Sequence, residues 1–144
     1  PQALQTYMTV SGINAETSLT LAEREVVQIT AARIHGCDFC IAGHTAVALK
    51  KAQLPLESVR ALQQGAATGD AKLDAVRVFS EAVIAQRGAV GDEAYRAFID
   101  AGYDERQALE VVLGISLATL CNFANTLAGS AINPQLQPYA SGAI

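Results

Sequence analysis

Charge, cysteine and long apolar runs are all scarce in this sequence, and each shortage removes a class of protein. Only 17% of the 144 residues are charged and the net charge is −4. With a pI near 5.0 and no basic run, no nucleic-acid partner is expected. The most apolar uncharged run, Val111 to Cys121, is too short to span a bilayer, and Asn122 and Asn125 follow it directly, so no membrane anchor is expected. Three cysteines, Cys37, Cys40 and Cys121, do not make a disulfide framework. No signal-peptide pattern precedes them, so a reducing, cytoplasmic setting is expected. No segment alternates with period two for long enough to argue for a sheet, which makes all-α the expected fold class. No flavin or haem motif occurs, so no tightly bound cofactor is expected.

What the chain does have is apolar surface: 51% of its residues are hydrophobic and the mean hydropathy is +0.23. That suits one domain over residues 1–144 with a sizeable core. A helical domain this small and this apolar is expected to cover part of its surface with another copy, as a homo-oligomer.

Reactive side chains cluster in one stretch, Cys37-Asp38-Phe39-Cys40-Ile41-Ala42-Gly43-His44. At the start of a helix, Cys37 and Cys40 are i,i+3 and Cys40 and His44 are i,i+4, so all three share one face. The two sulfurs can then reach bonding distance, and a helix start favours the thiolate. Cys-x-x-Cys also serves zinc sites and thioredoxin-like sites. The latter need a preceding strand, which is missing. Cys37, Cys40, His44 and Glu25 make a tetrahedral ligand set on paper, but three ligands on one helix face converge poorly on one ion.

The preceding segment, Thr20 to Gly36, reads as a helix with a capping box between Thr20 and Glu23 and a glycine stop. Glu25 is the only charge on a stripe formed with Ala22, Ile29, Ala32 and Gly36, while Arg24, Gln28 and His35 lie to one side. Glu25 is either a buried carboxylate suited to proton transfer, or an edge residue that reaches solvent or pairs with Arg24 or Arg33. His35 reads as structural and Cys121 as a buried small hydrophobe. Asn122 and Asn125 read as satisfying buried backbone or lining an interface.

Glu25 followed by Cys37-x-x-Cys40-x-x-x-His44 resembles the signature of the AhpD-like alkylhydroperoxidases within the carboxymuconolactone decarboxylase superfamily. The lead-in from Ser18 to Glu25, the Arg87-Gly88 break, the turn from Phe98 to Gly102 and the run from Asn122 to Asn125 resemble its peroxidase-related branch. The resemblance implies that Cys40 attacks a peroxide, that Cys37 resolves the product as a disulfide, and that Glu25 and His44 relay protons. It implies a compact fold of six to seven helices, a site helix near a subunit boundary, and a dithiol reductant protein of lipoyl or thioredoxin type as partner. The family's lactone decarboxylases lack the paired cysteines. Two positions depart from the pattern: Phe39, where better-studied members carry a histidine, and Thr126, where relatives in this branch often do. The rivals to a peroxidase are a general disulfide oxidoreductase and a non-enzymatic redox-sensing or metal-binding helical oligomer.

For the remaining elements, the spacing predicts a short helix over Leu4 to Val10 broken by Ser11 to Asn14, and a site helix from Cys37 to about Ala52. Further helices are expected from Pro55 to Gly65, from Asp70 through Gln86, from Asp92 to Gly102 and from Asp104 to about Ser130. The tail, with Pro134, Pro138 and Gly142, is expected to be extended or loosely ordered.

Overall fold

Residue 26 and its neighbours show why one helix sits at the centre. In a computed structural model that describes residues 1–144, Val26, Val27, Gln28, Ile29, Thr30, Ala31 and Ala32 are consecutive and all buried. A helix buried on its whole circumference has to be surrounded. This is α2 (Leu21–His35), and α3 (Asp38–Lys50), α5 (Ala71–Gln86) and α7 (Glu105–Ala128) pack around it, with α1 (Gln2–Ala15), α4 (Leu56–Gln64) and α6 (Gly91–Asp100) outside. There is no strand.

The ends of α2 are built as its sequence dictates. Thr20 accepts from the Glu23 amide and the Glu23 carboxylate accepts from the Thr20 amide at 2.7 Å. The other Glu23 oxygen accepts from the Tyr103 hydroxyl at 2.7 Å. Burial, then that bond, push the Tyr103 phenol well above its ordinary range. Tyr103 in turn stacks on Phe98, and Phe98 on Phe79, with centroids 4.6 and 4.2 Å apart. One carboxylate thus ties the start of α2 to the corner between α6 and α7.

Close approach of α2 and α7 depends on Gly114, where a Cβ would stand 3.0 Å from Val27 Cγ1. The Gly114 carbonyl accepts from the buried Gln28 amide at 2.9 Å. Gln28 therefore does not lie on a polar flank as its type implies; it faces the neighbouring backbone. One turn earlier on α7, Glu110 accepts from the Ser18 amide and hydroxyl at 3.0 and 2.7 Å and from Arg106 at 3.0 Å. Burial alone would raise its pKa, but the Ser18 bonds and Arg106 outweigh it and hold the carboxyl below its usual range.

Two expectations need correction. α1 does not break at Ser11: it runs on to Ala15, because Asn14 is buried against Gly114 and the hydroxyl of Thr17 returns to the Asn14 carbonyl. The tail is docked. Gln63 on α4 donates to the Tyr139 carbonyl and accepts from the Gly142 amide, and Arg60 donates to the Ile144 carbonyl. A 3-10 turn at Gln137–Tyr139 lies against α3. The apolar run Val111 to Cys121 lies within the long helix expected after Asp104, whose 24 residues are long and apolar enough to cross a bilayer by length and composition alone. Its buried face is taken up by α2, α1 and α5. Small shifts occur at two starts: α6 begins at Gly91 rather than Asp92, and α3 at Asp38, one residue after Cys37.

Candidate active site

Gly36 ends α2 in the left-handed conformation, φ 72°, where a side chain would be strained. The Cys37 amide closes back on the Ala32 carbonyl at 3.0 Å. The chain reverses there, and Cys37 becomes the N-cap of α3, its sulfur accepting from the Cys40 amide at 3.3 Å. The expected placement of Cys37 inside the helix is therefore one residue out, and it shares its face with Cys40 from the capping position. The two cysteines form a disulfide with a Cα separation of 5.3 Å. Both are buried, packed with Ala32 and Ile41 and flanked by Phe39 and Cys121.

The α2–α3 reversal is also what brings Glu25 to His44. Their side chains, 19 residues apart in sequence, meet with His44 Nδ1 2.7 Å from Glu25 Oε2. Glu25 is buried and His44 half-buried. The two arginines the sequence offered as partners for Glu25 are engaged elsewhere: Arg24 donates to the Leu19 carbonyl at 2.6 Å and Arg33 to Glu81 at 2.7 Å. With Glu25 accepting, His44 carries its proton on Nδ1 and leaves Nε2 as the free ring nitrogen. A cavity of about 150 Å³ opens beside the pair, lined among others by Tyr7, Ser11, Arg24 and Gln28.

Three residues join the site that their sequence positions did not reveal. Asn125, on the last turns of α7, has its amide nitrogen 3.3 Å from Cys121 Sγ and 3.8 Å from Cys40 Sγ. Cys121 is half-buried beside the disulfide rather than lost in the core. The i,i+4 spacing of Cys121 and Asn125 was the available signal. Tyr7 comes from α1, and nothing in its sequence context marks it. Its phenol is raised above its ordinary pKa by burial, then by Cys121 and Glu25. Asn122, by contrast, serves structure: its side-chain oxygen meets His35 Nδ1 at 3.0 Å, away from the sulfurs.

A second groove, about 280 Å³, is lined by Cys37, Asp38, Phe39, Asn125 and Thr126 together with Gly36 and Ser130. Phe39 and Thr126, the two departures from the family pattern, thus stand together at the Cys37 side. The Glu25–His44 pair is untouched by them. No three His, Cys, Asp or Glu side chains come together as a metal site.

The chain has counterparts among known proteins in family and in fold. The model of the carboxymuconolactone decarboxylase family matches residues 1–81, and the chain belongs to that family. Its fold is AhpD-like. It superposes on the alkylhydroperoxidase AhpD core of an uncharacterized peroxidase-related protein from Ralstonia eutropha with a TM-score of 0.86 at 17% identity, covering 100% of this chain and 76% of that one. A peroxidase-related protein from Silicibacter gives 0.81 at 14% identity over 92% and 71% of the two chains. A protein of unknown function from Agrobacterium tumefaciens gives 0.81 at 18% identity over 92% of each. No curated protein matches the sequence.

Proposed function

We propose that this chain is a thiol peroxidase that reduces hydrogen peroxide or organic hydroperoxides through a Cys37/Cys40 dithiol–disulfide cycle. The observation that carries the reading is the juxtaposition of a closed Cys37–Cys40 disulfide with the Glu25–His44 pair, in which a buried carboxylate on α2 meets a histidine one helical turn beyond Cys40 on α3. Reduced Cys40 attacks the peroxide as the thiolate, giving a sulfenic acid and a hydroxide or alkoxide that must gain a proton. His44, oriented by Glu25, takes the first proton and returns it to the leaving group. Cys37 then condenses with the sulfenic acid, releasing water and closing the disulfide before further oxidation. A protein dithiol of lipoyl or thioredoxin type reopens it, with the Cys37-lined groove as its approach. No tightly bound cofactor takes part. The exposed residues Leu109, Val112, Phe123 and Leu127 on α7 support a homo-oligomer, and three cysteines that make no disulfide framework support a cytoplasmic setting.

The test is thiol titration, intact mass and peptide mapping of reduced protein given one equivalent of peroxide. Two thiols should disappear into a Cys37–Cys40 link with Cys121 free. Cys40→Ser should consume no peroxide, and Cys37→Ser with Cys121→Ser should leave Cys40 as a sulfenic acid that dimedone captures. Disulfide formation with diamide but not with peroxide would instead establish a general disulfide oxidoreductase, and peroxide consumption by Cys40→Ser would reject the assignment of the nucleophile.

A further inference from the structure

The third cysteine sits too close to the reacting sulfur to be a bystander. Cys121 Sγ and Cys40 Sγ lie 3.3 and 3.8 Å from one and the same nitrogen, Asn125 Nδ2, so their separation cannot exceed the sum of those two distances. Cys121 also packs directly against the disulfide cluster. The same Asn125 nitrogen is held at 3.0 Å from the Cys121 carbonyl, which fixes the amide on its own helix and aims it between the two sulfurs. The Tyr7 phenol, raised by burial and then by Cys121 and Glu25, lines the cavity beside Glu25 and His44. A half-buried amide shared between two sulfurs from different helices is more than apolar packing asks of a cysteine.

We infer that Cys121 is a second resolving thiol for Cys40, so that the site is a three-sulfur relay across α3 and α7 rather than an isolated Cys-x-x-Cys. The inference rests on the peroxidase reading for its sulfenic acid. Cys40-SOH condenses with the Cys121 thiol: the S–O bond of Cys40 breaks, a Cys40–Cys121 S–S bond forms, and the departing hydroxide leaves as water with the thiol's proton. The sulfenic sulfur is reduced and the Cys121 sulfur oxidised, with no other reagent. Asn125 is the positioning residue: it draws both sulfurs toward one donor without touching the peroxide. With Cys37 present, the adjacent thiol closes first, and the Cys121 route carries whatever sulfenic acid Cys37 has not captured.

The decisive protein is Cys37→Ser, compared with Cys37→Ser/Cys121→Ser, both checked for an unchanged thermal transition. After one equivalent of hydrogen peroxide the single variant should lose two thiols, stay monomeric by intact mass under non-reducing denaturing conditions, and yield a Cys40–Cys121 peptide. Its dimedone adduct at Cys40 should be at least about tenfold weaker than in the double variant, because an intramolecular thiol at high effective concentration competes with the probe. Equal dimedone labelling in the two, with Cys121 free, overturns the relay and leaves the peroxidase reading intact. If neither variant consumes peroxide, the peroxidase reading fails and diamide decides the pairing alone: a Cys40–Cys121 link supports the sulfur geometry, and its absence overturns it.

Discussion

Replacing Glu25 with glutamine separates a proton relay from a carboxylate that merely fills space. Glutamine has nearly the same shape, and its amide oxygen can still accept from His44 Nδ1, so the ring should keep its place in a pocket where Glu25 is only 6% exposed. What is lost is the charge-assisted character of the 2.7 Å bond. A hydrogen bond to a charged group contributes about 1.5–3 kcal/mol, roughly a 10- to 150-fold change when it is made only as His44 takes a proton. General acid–base groups contribute about 10²- to 10⁴-fold, the same range at its lower end. Glu25→Gln should therefore slow the peroxide step by at least about tenfold, with an unchanged far-ultraviolet spectrum. His44→Gln should do the same. The double variant should fall well short of the product of the two single effects, since both act through one bond. Stopped-flow rates of peroxide reduction by pre-reduced protein measure all three. A wild-type rate in Glu25→Gln would remove the carboxylate from the mechanism, and strict multiplicativity would show that the two residues act independently.

Two glycines in helices should respond oppositely to alanine. At Gly114 the new methyl meets Val27 Cγ1 at 3.0 Å, and overpacking of about 1–3 kcal/mol should outweigh a helix-propensity gain of about 1 kcal/mol, lowering Tm. At Gly12 nothing lies within 4 Å, so Gly12→Ala should raise Tm; calorimetry of both variants decides. Glu110 is held below its ordinary pKa in the fold, so its contribution to stability is complete above the unfolded carboxyl value, about 4.3, and is lost as pH falls toward the folded value. Glu110→Gln should thus lower stability at neutral pH by about 1–3 kcal/mol and flatten the acid limb of denaturant-derived stability. Asp74, lowered by Thr68 and Arg77 against its burial, keeps part of that slope. Light scattering at micromolar protein should find a homo-oligomer, and Leu109→Glu together with Phe123→Glu on the exposed face of α7 should shift it toward monomer; a wild-type monomer would contradict the expected assembly.

Short-range rules accounted for what the sequence determined alone. Thr20 with Glu23, Gly36, Asp70, Arg87-Gly88 and Asp104 mark helix ends because a cap or a left-handed residue acts within one turn of itself. The Cys37, Cys40 and His44 spacing needs only helical geometry. The same locality explains the failures. Ser11 to Asn14 looks like a breaker until Asn14 finds Gly114 a hundred residues on, and the tail looks loose until Gln63 and Arg60 take its backbone. Glu25 had two open fates in sequence, and only the reversal at Gly36 chose His44 over either arginine. Asn125 reaches Cys40 across 85 positions and Tyr7 reaches Cys121 from another helix. Nothing periodic encodes such meetings: they follow from how α1, α3 and α7 settle around α2, where burial of one helix on every side decides which polar side chains are left facing each other.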